Sequence, residues 1–264
     1  MSAASVERIV VYPIKSLDGV SVQQAEITEA GALVHDRKYA IVDSAGNFVN
    51  AKRFSNIHEI RASYSADLSR VTLSAKSKEE SFALNDQKGI AAWLSNFFSI
   101  EVSLRKDARS GFPDDTIASG PTFVSLATLE TVRKWFQKIE PFDIEEAVRR
   151  FRPNIVIQGA DSFYEDQLCG GKFFVGDATI IGTNPCARCA VPSRDSRTGQ
   201  VTTGFAKILT EQRKKSLPAT SNPGLFDHYY RLCLNTRIPS SEEGKLIRRG
   251  DRVQGEWDSF GDIF

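Results

Sequence analysis

Phe173-Phe174-Val175-Gly176-Asp177-Ala178-Thr179-Ile180-Ile181 reads as two apolar, β-branched runs folded back on Gly176-Asp177, the composition of a tight β-hairpin. The chain then leaves the second run through Gly182-Thr183-Asn184-Pro185 and meets Cys186-Ala187-Arg188-Cys189. A cysteine pair is thereby expected on a loop at a strand end, where functional groups are commonly displayed. The same rhythm of strand and turn spreads outward from this hairpin. Asn154-Ile155-Val156-Ile157 reads as a buried strand with Pro153 at its entrance, where a missing N–H does little harm. Val6 to Tyr12 and Val20 to Ile27 are strand-like runs parted by Lys15-Ser16-Leu17-Asp18 and Gly19. Tyr39-Ala40-Ile41-Val42 and Phe48-Val49 flank a hairpin loop at Asp43-Ser44-Ala45-Gly46-Asn47. Val71-Thr72-Leu73 and Ser81-Phe82-Ala83-Leu84 add two strands, and Tyr229 to Leu234 and Asp251 to Gln254 look like closing ones. Helical spacing occurs at Ile90, Leu94, Phe97 and Phe98 and again at Leu126, Leu129, Val132 and Phe136, and Phe205 to Lys215 also looks helical. Many short strands with few helices predict a mainly β fold of the α+β class, built from barrels rather than from alternating βαβ units.

A chain of 264 residues is comfortable for two domains, and the turn-rich Ser110 to Pro121 is the candidate boundary. Its 34 basic and 33 acidic residues leave a formal charge of +1. That balance supplies no global field for nucleic acid or an anionic membrane, so any anion site must be local. No stretch approaches the roughly 20 apolar residues that cross a bilayer. The opening Met1-Ser2-Ala3-Ala4-Ser5-Val6-Glu7-Arg8 lacks the basic head and apolar run of a secretory leader, so a cytoplasmic protein is expected.

The four cysteines, Cys169, Cys186, Cys189 and Cys233, do not make a disulfide scaffold and point to metal, redox chemistry or burial. Structural zinc would need Cys169 and Cys233 to complete a set of four with the C-x-x-C pair. A thioredoxin-like pair would sit at a helix N-terminus within a βαβ unit, against the rhythm read here. Plain burial is the third reading, opposed by Pro185 and Arg188, which mark a polar loop.

Asn184-Pro185-Cys186-Ala187-Arg188-Cys189, followed by Asp195 and Thr198-Gly199, resembles the MOSC family, named for the C-terminal domain of molybdenum cofactor sulfurase. The likeness continues in order through Tyr12-Pro13-Ile14-Lys15-Ser16, Asp36-Arg37-Lys38-Tyr39, Phe151-Arg152-Pro153-Asn154-Ile155-Val156, Leu225-Phe226-Asp227-His228-Tyr229-Tyr230 and Arg249-Gly250-Asp251. It implies a MOSC N-terminal β-barrel domain over residues 1–119, a MOSC β-barrel domain over 120–264, and a molybdenum–molybdopterin cofactor between them. Similarity to the amidoxime-reducing branch implies an oxidoreductase that reduces N-hydroxylated compounds. Cys189 is then the metal ligand and catalytic centre, with Lys15, Ser16, Arg37, Arg152, Asn154 and Arg188 contacting the pterin and its phosphate. Electrons are expected from a separate flavoprotein, ferredoxin or cytochrome. The rival within the family is a cofactor carrier or a sulfur-transfer protein with a Cys189 persulfide; outside it stands a non-enzymatic zinc protein.

Elementary chemistry accords with that assignment. A thiolate is a soft donor suited to a metal already bound by dithiolene sulfurs, and an adjacent Arg188 favours the ionised thiol. Arg37 and Arg152 can grip a phosphate with bidentate, charge-assisted hydrogen bonds. Gly170-Gly171 and Gly182 lack the spacing of a dinucleotide-binding loop, so a nicotinamide cofactor alone is not expected to drive the protein. His35, His58, His228, Asp43 and Asp166 form no catalytic spacing and are read as structural, and Arg149-Arg150 as a solvated helix end. The chain departs from the branch at Pro192-Ser193-Arg194, where paired threonines and a valine are usual. It departs again at Ile117 to Pro121, from which no site residue is carried. No iron–sulfur cysteine set follows the pair.

Overall fold

The computed structural model describes residues 3–255; positions 256–264, the end of the second expected domain, lie outside them. Its first half runs β1 (Ser5–Val11), β2 (Val20–Val22), β3 (Gln24–Glu26), β4 (Tyr39–Asp43), β5 (Arg61–Tyr64), β6 (Arg70–Ala75), β7 (Lys78–Ala83), α1 (Gln87–Phe98) and β8 (Val102–Lys106). The second half runs β9 (Phe123–Ser125), α2 (Leu126–Phe136), α3 (Ile144–Phe151), β10 (Ile155–Gln158), α4 (Tyr164–Gln167), β11 (Lys172–Val175) and β12 (Ala178–Ala187). It ends with α5 (Phe205–Lys215), β13 (Arg231–Arg237), β14 (Leu246–Arg248) and β15 (Val253–Gly255). The fold is mainly β with a few helices, as the sequence predicts.

Eight strands form one sheet in the order β15-β11-β12-β13-β9-β10-β1-β2, antiparallel except where β9 and β10 run parallel. Ser5 bridges to Arg252, and the N–H groups of Val6 and Val253 donate to Asp251 O and Ala4 O at 2.8 Å each. The first strand thus hydrogen-bonds to the last and closes the sheet, leaving β2 as a flap outside the ring. Closure removes the unpaired edges that would otherwise template aggregation. Val6, Ile9, Phe123, Ile155, Phe173 and Ile180 fill the interior.

A second core, with Ile41, Leu73, Ile90, Leu94 and Leu104, lies among the β4-β8 ribbon, the β5-β6-β7 sheet and α1. The burial of β6 alternates strictly along Arg70–Ala75, the period-2 pattern of a half-buried strand. A third core joins α2, α3 and α5 through Val132, Phe136, Phe151, Phe205 and Leu209. Helices α1, α2 and α3 start on Asp86, Ser125 and Asp143, whose side chains accept from the N–H groups of Gly89, Thr128 and Glu146. Each satisfies a backbone donor that a first turn leaves unpaired. Among the described residues no helix is long and apolar enough to cross a membrane.

Four of the structure's departures from the sequence reading concern β2 to β4, β12 and α3. Val20 to Ile27 is two strands, because β2 pairs with β1 whereas β3 pairs with β14. Phe48 makes only a bridge to Val42, since the long partner of β4 is β8. Strand β12 does not stop at Gly182 but continues to Ala187, so Cys186 lies in a strand and only Cys189 in the loop beyond. Register shifts between Gly182 and Asn184 and between Pro185 and Ala187 let the ladder absorb a proline that cannot donate.

Arg150 is the fourth difference. It is 3% exposed, not solvated. Its guanidinium pairs with Glu146 at 2.7 Å and Glu140 at 2.9 Å, donates to Thr202 Oγ1 at 2.9 Å, and lies 4.9 Å from the Phe142 ring centroid. Helix α3 is amphipathic over only eight residues, too short for its period to reveal which arginine faces inward. Glu146 also accepts from Ser196 N at 2.8 Å and Ser196 Oγ at 2.5 Å, tying α3 to the loop after the cysteine pair. Desolvation pushes against ionisation of Glu146, but the Ser196 and Arg150 hydrogen bonds outweigh it and lower its pKa. A depressed carboxyl pKa contributes stability that is present above the ordinary value of 4.5 and is lost as pH falls through the folded value. Arg150→Met leaves that carboxylate buried without its principal cation, and breaking such a pair costs about 3–5 kcal/mol. Urea denaturation at pH 7 is expected to read a loss of that order. The loss is expected to shrink as pH falls from 4.5 through the lowered folded value, because a protonated Glu146 needs no cation; a pH-independent loss would contradict the assignment.

Candidate functional site

Three ends of the fold meet at one place: the turn after β1, the αL residue that terminates α3, and the end of β12. They border a cavity of about 830 Å³. Lys15, Ser16, Arg37, Arg152, Arg188 and Cys189 all line it, although residues 15 and 189 belong to opposite halves of the chain. Asn154 does not. It is fully buried behind the wall, where its amide donates to Val10 O at 3.0 Å and its carbonyl accepts from Arg37 Nη1 at 3.3 Å and Thr122 N at 3.2 Å. Asn154 therefore fixes Arg37 from the rear.

The wall carries eleven basic and five acidic residues in a chain of net charge +1, so the anion-attracting character is indeed local. Tyr12 organises the innermost cations. Its ring lies 4.0 Å from the Arg152 guanidinium and 5.3 Å from that of Arg37, and its hydroxyl donates to Pro153 O at 3.1 Å. Stacking on an aromatic face partly offsets the desolvation of both cations. Arg37 pairs with Asp36, whose other oxygen accepts from Tyr12 N at 2.9 Å. Arg152 makes no ion pair among the described residues, and burial followed by the nearby Arg37 charge lowers its pKa. Ser16, Arg37 and Arg152 have φ of 75°, 48° and 50°, a left-handed conformation that non-glycine residues adopt infrequently and that clusters at functional sites.

The loop from Gly111 to Gly120, from which the sequence reading carried no residue, forms one lip. Lys15 Nζ donates to Phe112 O at 2.9 Å and pairs with Asp114 at 2.8 Å. Desolvation lowers the Lys15 pKa against the Asp114 charge. Desolvation works to raise Asp114, but Lys15, Arg37 and Arg152 overcome it and hold the carboxyl at about 2. Tyr12 and Asp114 were both missed as site residues. Tyr12 sits in a recognised stretch but looks like a core aromatic, and nothing in the order of residues links Asp114 to Arg152.

At the opposite wall, the Arg188 guanidinium donates to Phe151 O at 3.0 Å and through Nε to Leu232 O at 2.9 Å, with Nη2 also on Leu232 O. Desolvation works against its charge, yet the neighbouring Cys186, Cys233 and Cys189 thiols raise its pKa. Cys189 Sγ accepts from Val191 N at 3.5 Å, and its carbonyl accepts from Tyr230 Oη at 3.1 Å. Cys186 packs against the helical core although it reaches the cavity. Cys233 is buried with its thiol pushed up to about 12 by desolvation, and Cys169 donates to Thr183 O with its thiol pushed up to about 11 by burial and the Asp166 charge. Among the described residues no three His, Cys, Asp or Glu side chains gather to hold a metal. Asp166 pairs with the buried Arg213 away from this wall, in keeping with its structural reading.

Comparison with known proteins matches two family patterns in order along the chain. Residues 3–107 match the MOSC N-terminal beta barrel domain and residues 118–254 the MOSC domain. The chain is similar to human mitochondrial amidoxime reducing component 2, at 25% identity over 240 residues that cover 75% of this chain and 68% of that protein. It is similar to human mitochondrial amidoxime-reducing component 1 at 25% identity over 237 residues, covering 74% and 67%. It also resembles the molybdenum cofactor sulfurase of Oryza sativa subsp. japonica, at 21% identity over 263 residues that cover 81% of this chain and 32% of the other. With both domain patterns matched in order across most of its length, the chain belongs to the MOSC family.

Proposed function

We propose that this chain is a molybdenum cofactor-dependent oxidoreductase that reduces the N–O bond of N-hydroxylated compounds with electrons from a separate carrier. The observation that carries this reading is the joining, in one cavity, of a single loop thiol, Cys189, to a preorganised basic cradle of Lys15, Arg37 and Arg152. A cofactor that brings its own dithiolene sulfurs asks for one protein thiolate rather than a cage of ligands, which fits a wall without a protein metal cluster. Its phosphate fits cations that the Tyr12 ring and the Asn154 carbonyl already hold in place.

When bound, the molybdenum centre supplies two-electron oxygen-atom chemistry. The protein's own residues provide the rest. Arg188, held by backbone carbonyls rather than by a carboxylate, keeps a full positive charge beside Cys189. The Val191 N–H steadies that sulfur, and Tyr230 steadies the backbone that carries it. Similarity to the rice sulfurase supports a second reading, a cofactor carrier or sulfur-transfer protein with a Cys189 persulfide. Anaerobic turnover of benzamidoxime distinguishes the two. Reduction to benzamidine supports the enzyme, and molybdenum and pterin bound without turnover supports the carrier.

Cys189→Ser is expected to abolish molybdenum-centred activity, whereas Cys186→Ser retains most of it. Reversal of the two outcomes in benzamidoxime assays would move the ligand to Cys186. Arg37→Ala and Arg152→Ala are each expected to lower pterin and molybdenum content by about tenfold or more, since a desolvated charge-assisted pair is worth roughly 1.5–3 kcal/mol. Wild-type content in both would refute the cradle. Reduced viologen is expected to support turnover where NADH or NADPH alone does not, because the chain carries no dinucleotide fingerprint. Sustained turnover on NADH with no added carrier would contradict the need for a donor protein.

A further inference from the structure

The basic residues of the wall outnumber what one cofactor phosphate uses. Lys15, Arg37 and Arg152 gather at the Tyr12 end, and Arg188 is saturated by carbonyls. Arg194 remains. It lines the cavity, is half-buried, and makes no ion pair among the described residues. Its single hydrogen bond runs from Nη1 to Gly199 O at 2.9 Å, which spends one corner of the guanidinium and holds the side chain in place.

Its backbone position is equally fixed. Arg194 N donates to Val191 O at 3.0 Å, closing the 3₁₀ turn that begins just after Cys189. At a rise of about 2 Å per residue, its Cα lies on the order of 10 Å along the chain from that of the ligand cysteine. The opposite bank is the first half of the chain. Arg61 donates to Ser196 O at 2.9 Å, and Gly199 packs on Ser55 and His58. His58 senses the field there: burial lowers its pKa, and the Arg194, Arg152 and Arg61 charges lower it further. Among the described residues no carboxylate pairs with Arg194.

We propose that Arg194 is a specificity-determining residue that binds a carboxylate on the substrate, so that this cavity prefers N-hydroxylated compounds bearing a carboxylate. This rests on the N–O reduction reading above. A single guanidinium with one edge free matches a monoanionic carboxylate in a bidentate pair; a phosphate dianion is better served by the clustered cations at the other end.

The test uses non-reducible probes, 4-carboxybenzamide and benzamide, titrated calorimetrically into the cofactor-loaded protein, together with turnover of 4-carboxybenzamidoxime and benzamidoxime on reduced viologen. The wild type is expected to bind the carboxylated amide at least tenfold more tightly than benzamide. Arg194→Gln is expected to erase that preference, and Arg194→Glu to invert it, with benzamide binding unchanged in both; the unchanged benzamide affinity reports that the pocket is still folded. In turnover, Arg194→Gln is expected to raise KM for the carboxylated substrate about tenfold with kcat retained. Equal binding of the two amides by the wild type, or a preference that survives Arg194→Gln, overturns the proposal. An Arg194-dependent preference in calorimetry without turnover of either amidoxime upholds the carboxylate site and overturns the N–O reduction reading instead.

Discussion

Strand β1 pairs with β10 from Ser5↔Gln158 to Ile9↔Ile155 and with β2 on its other side, while its first residues bond to the segment before β15. The N-terminus of the chain is thereby built into a barrel whose other strands come from the second half. Everything at the site depends on that pairing. Because Tyr12, Lys15 and Ser16 follow β1 directly, the ladder register that places Ile9 opposite Ile155 also sets Tyr12 beside Pro153 and Arg152. A one-residue slip would turn every side chain of β1 to the wrong face, and the buried Val6 and Ile9 oppose it.

The cavity stores unfavourable terms that the surrounding packing supports. Three of its residues are left-handed without being glycine, and Arg152 keeps its charge against burial. Such features each cost on the order of 1–3 kcal/mol and persist only when neighbours over-determine them. Here the neighbours are identifiable. The Tyr12 ring underlies both guanidiniums, and Asn154 spends its amide and carbonyl on Val10, Thr122 and Arg37. Preorganisation of this kind means that an arriving anion need not order the side chains that bind it.

How much of this was legible in the sequence depends on whether the information was local. The hairpin at Gly176-Asp177 and the apolar stripes of α1 and α2 follow from residues that touch their own neighbours in the chain, and the sequence shows them. Strands β5, β8 and β14 were missed because their pattern is polar and short. Arg61-Ala62-Ser63-Tyr64 becomes a strand only because β6 lies beside it. The ordered motifs picked out the residues that line the cavity, yet they could not tell a wall from its support. Asn154 and Arg37 looked equivalent in the sequence, and only the structure puts one behind the other. Arg150 was misread for a related reason: its partners Glu140, Glu146 and Thr202 come together only when α3 packs on the loop after the cysteine pair.

The same loop explains why two cysteines three residues apart have different environments. Cys186 belongs to the bulged end of β12, so its direction is set by the ladder to β13 and its sulfur is shared with the helical core. Cys189 lies past the last ladder pair, Ala187↔Arg231, and its direction is set instead by the turn that Val191 begins. A strand residue cannot be re-aimed without shifting the sheet, whereas a loop residue held by Tyr230 and the Val191 N–H can be placed by those two contacts alone. Arg188, between the two cysteines, has its guanidinium on the carbonyls of Leu232 and Phe151. Carbonyl dipoles orient the cation without cancelling it, as a carboxylate would, so its field extends over both thiols. Charge alone therefore does not choose between the cysteines. What separates them is placement: Cys186 is held in the β12 ladder, whereas Cys189 lies in the loop beyond it.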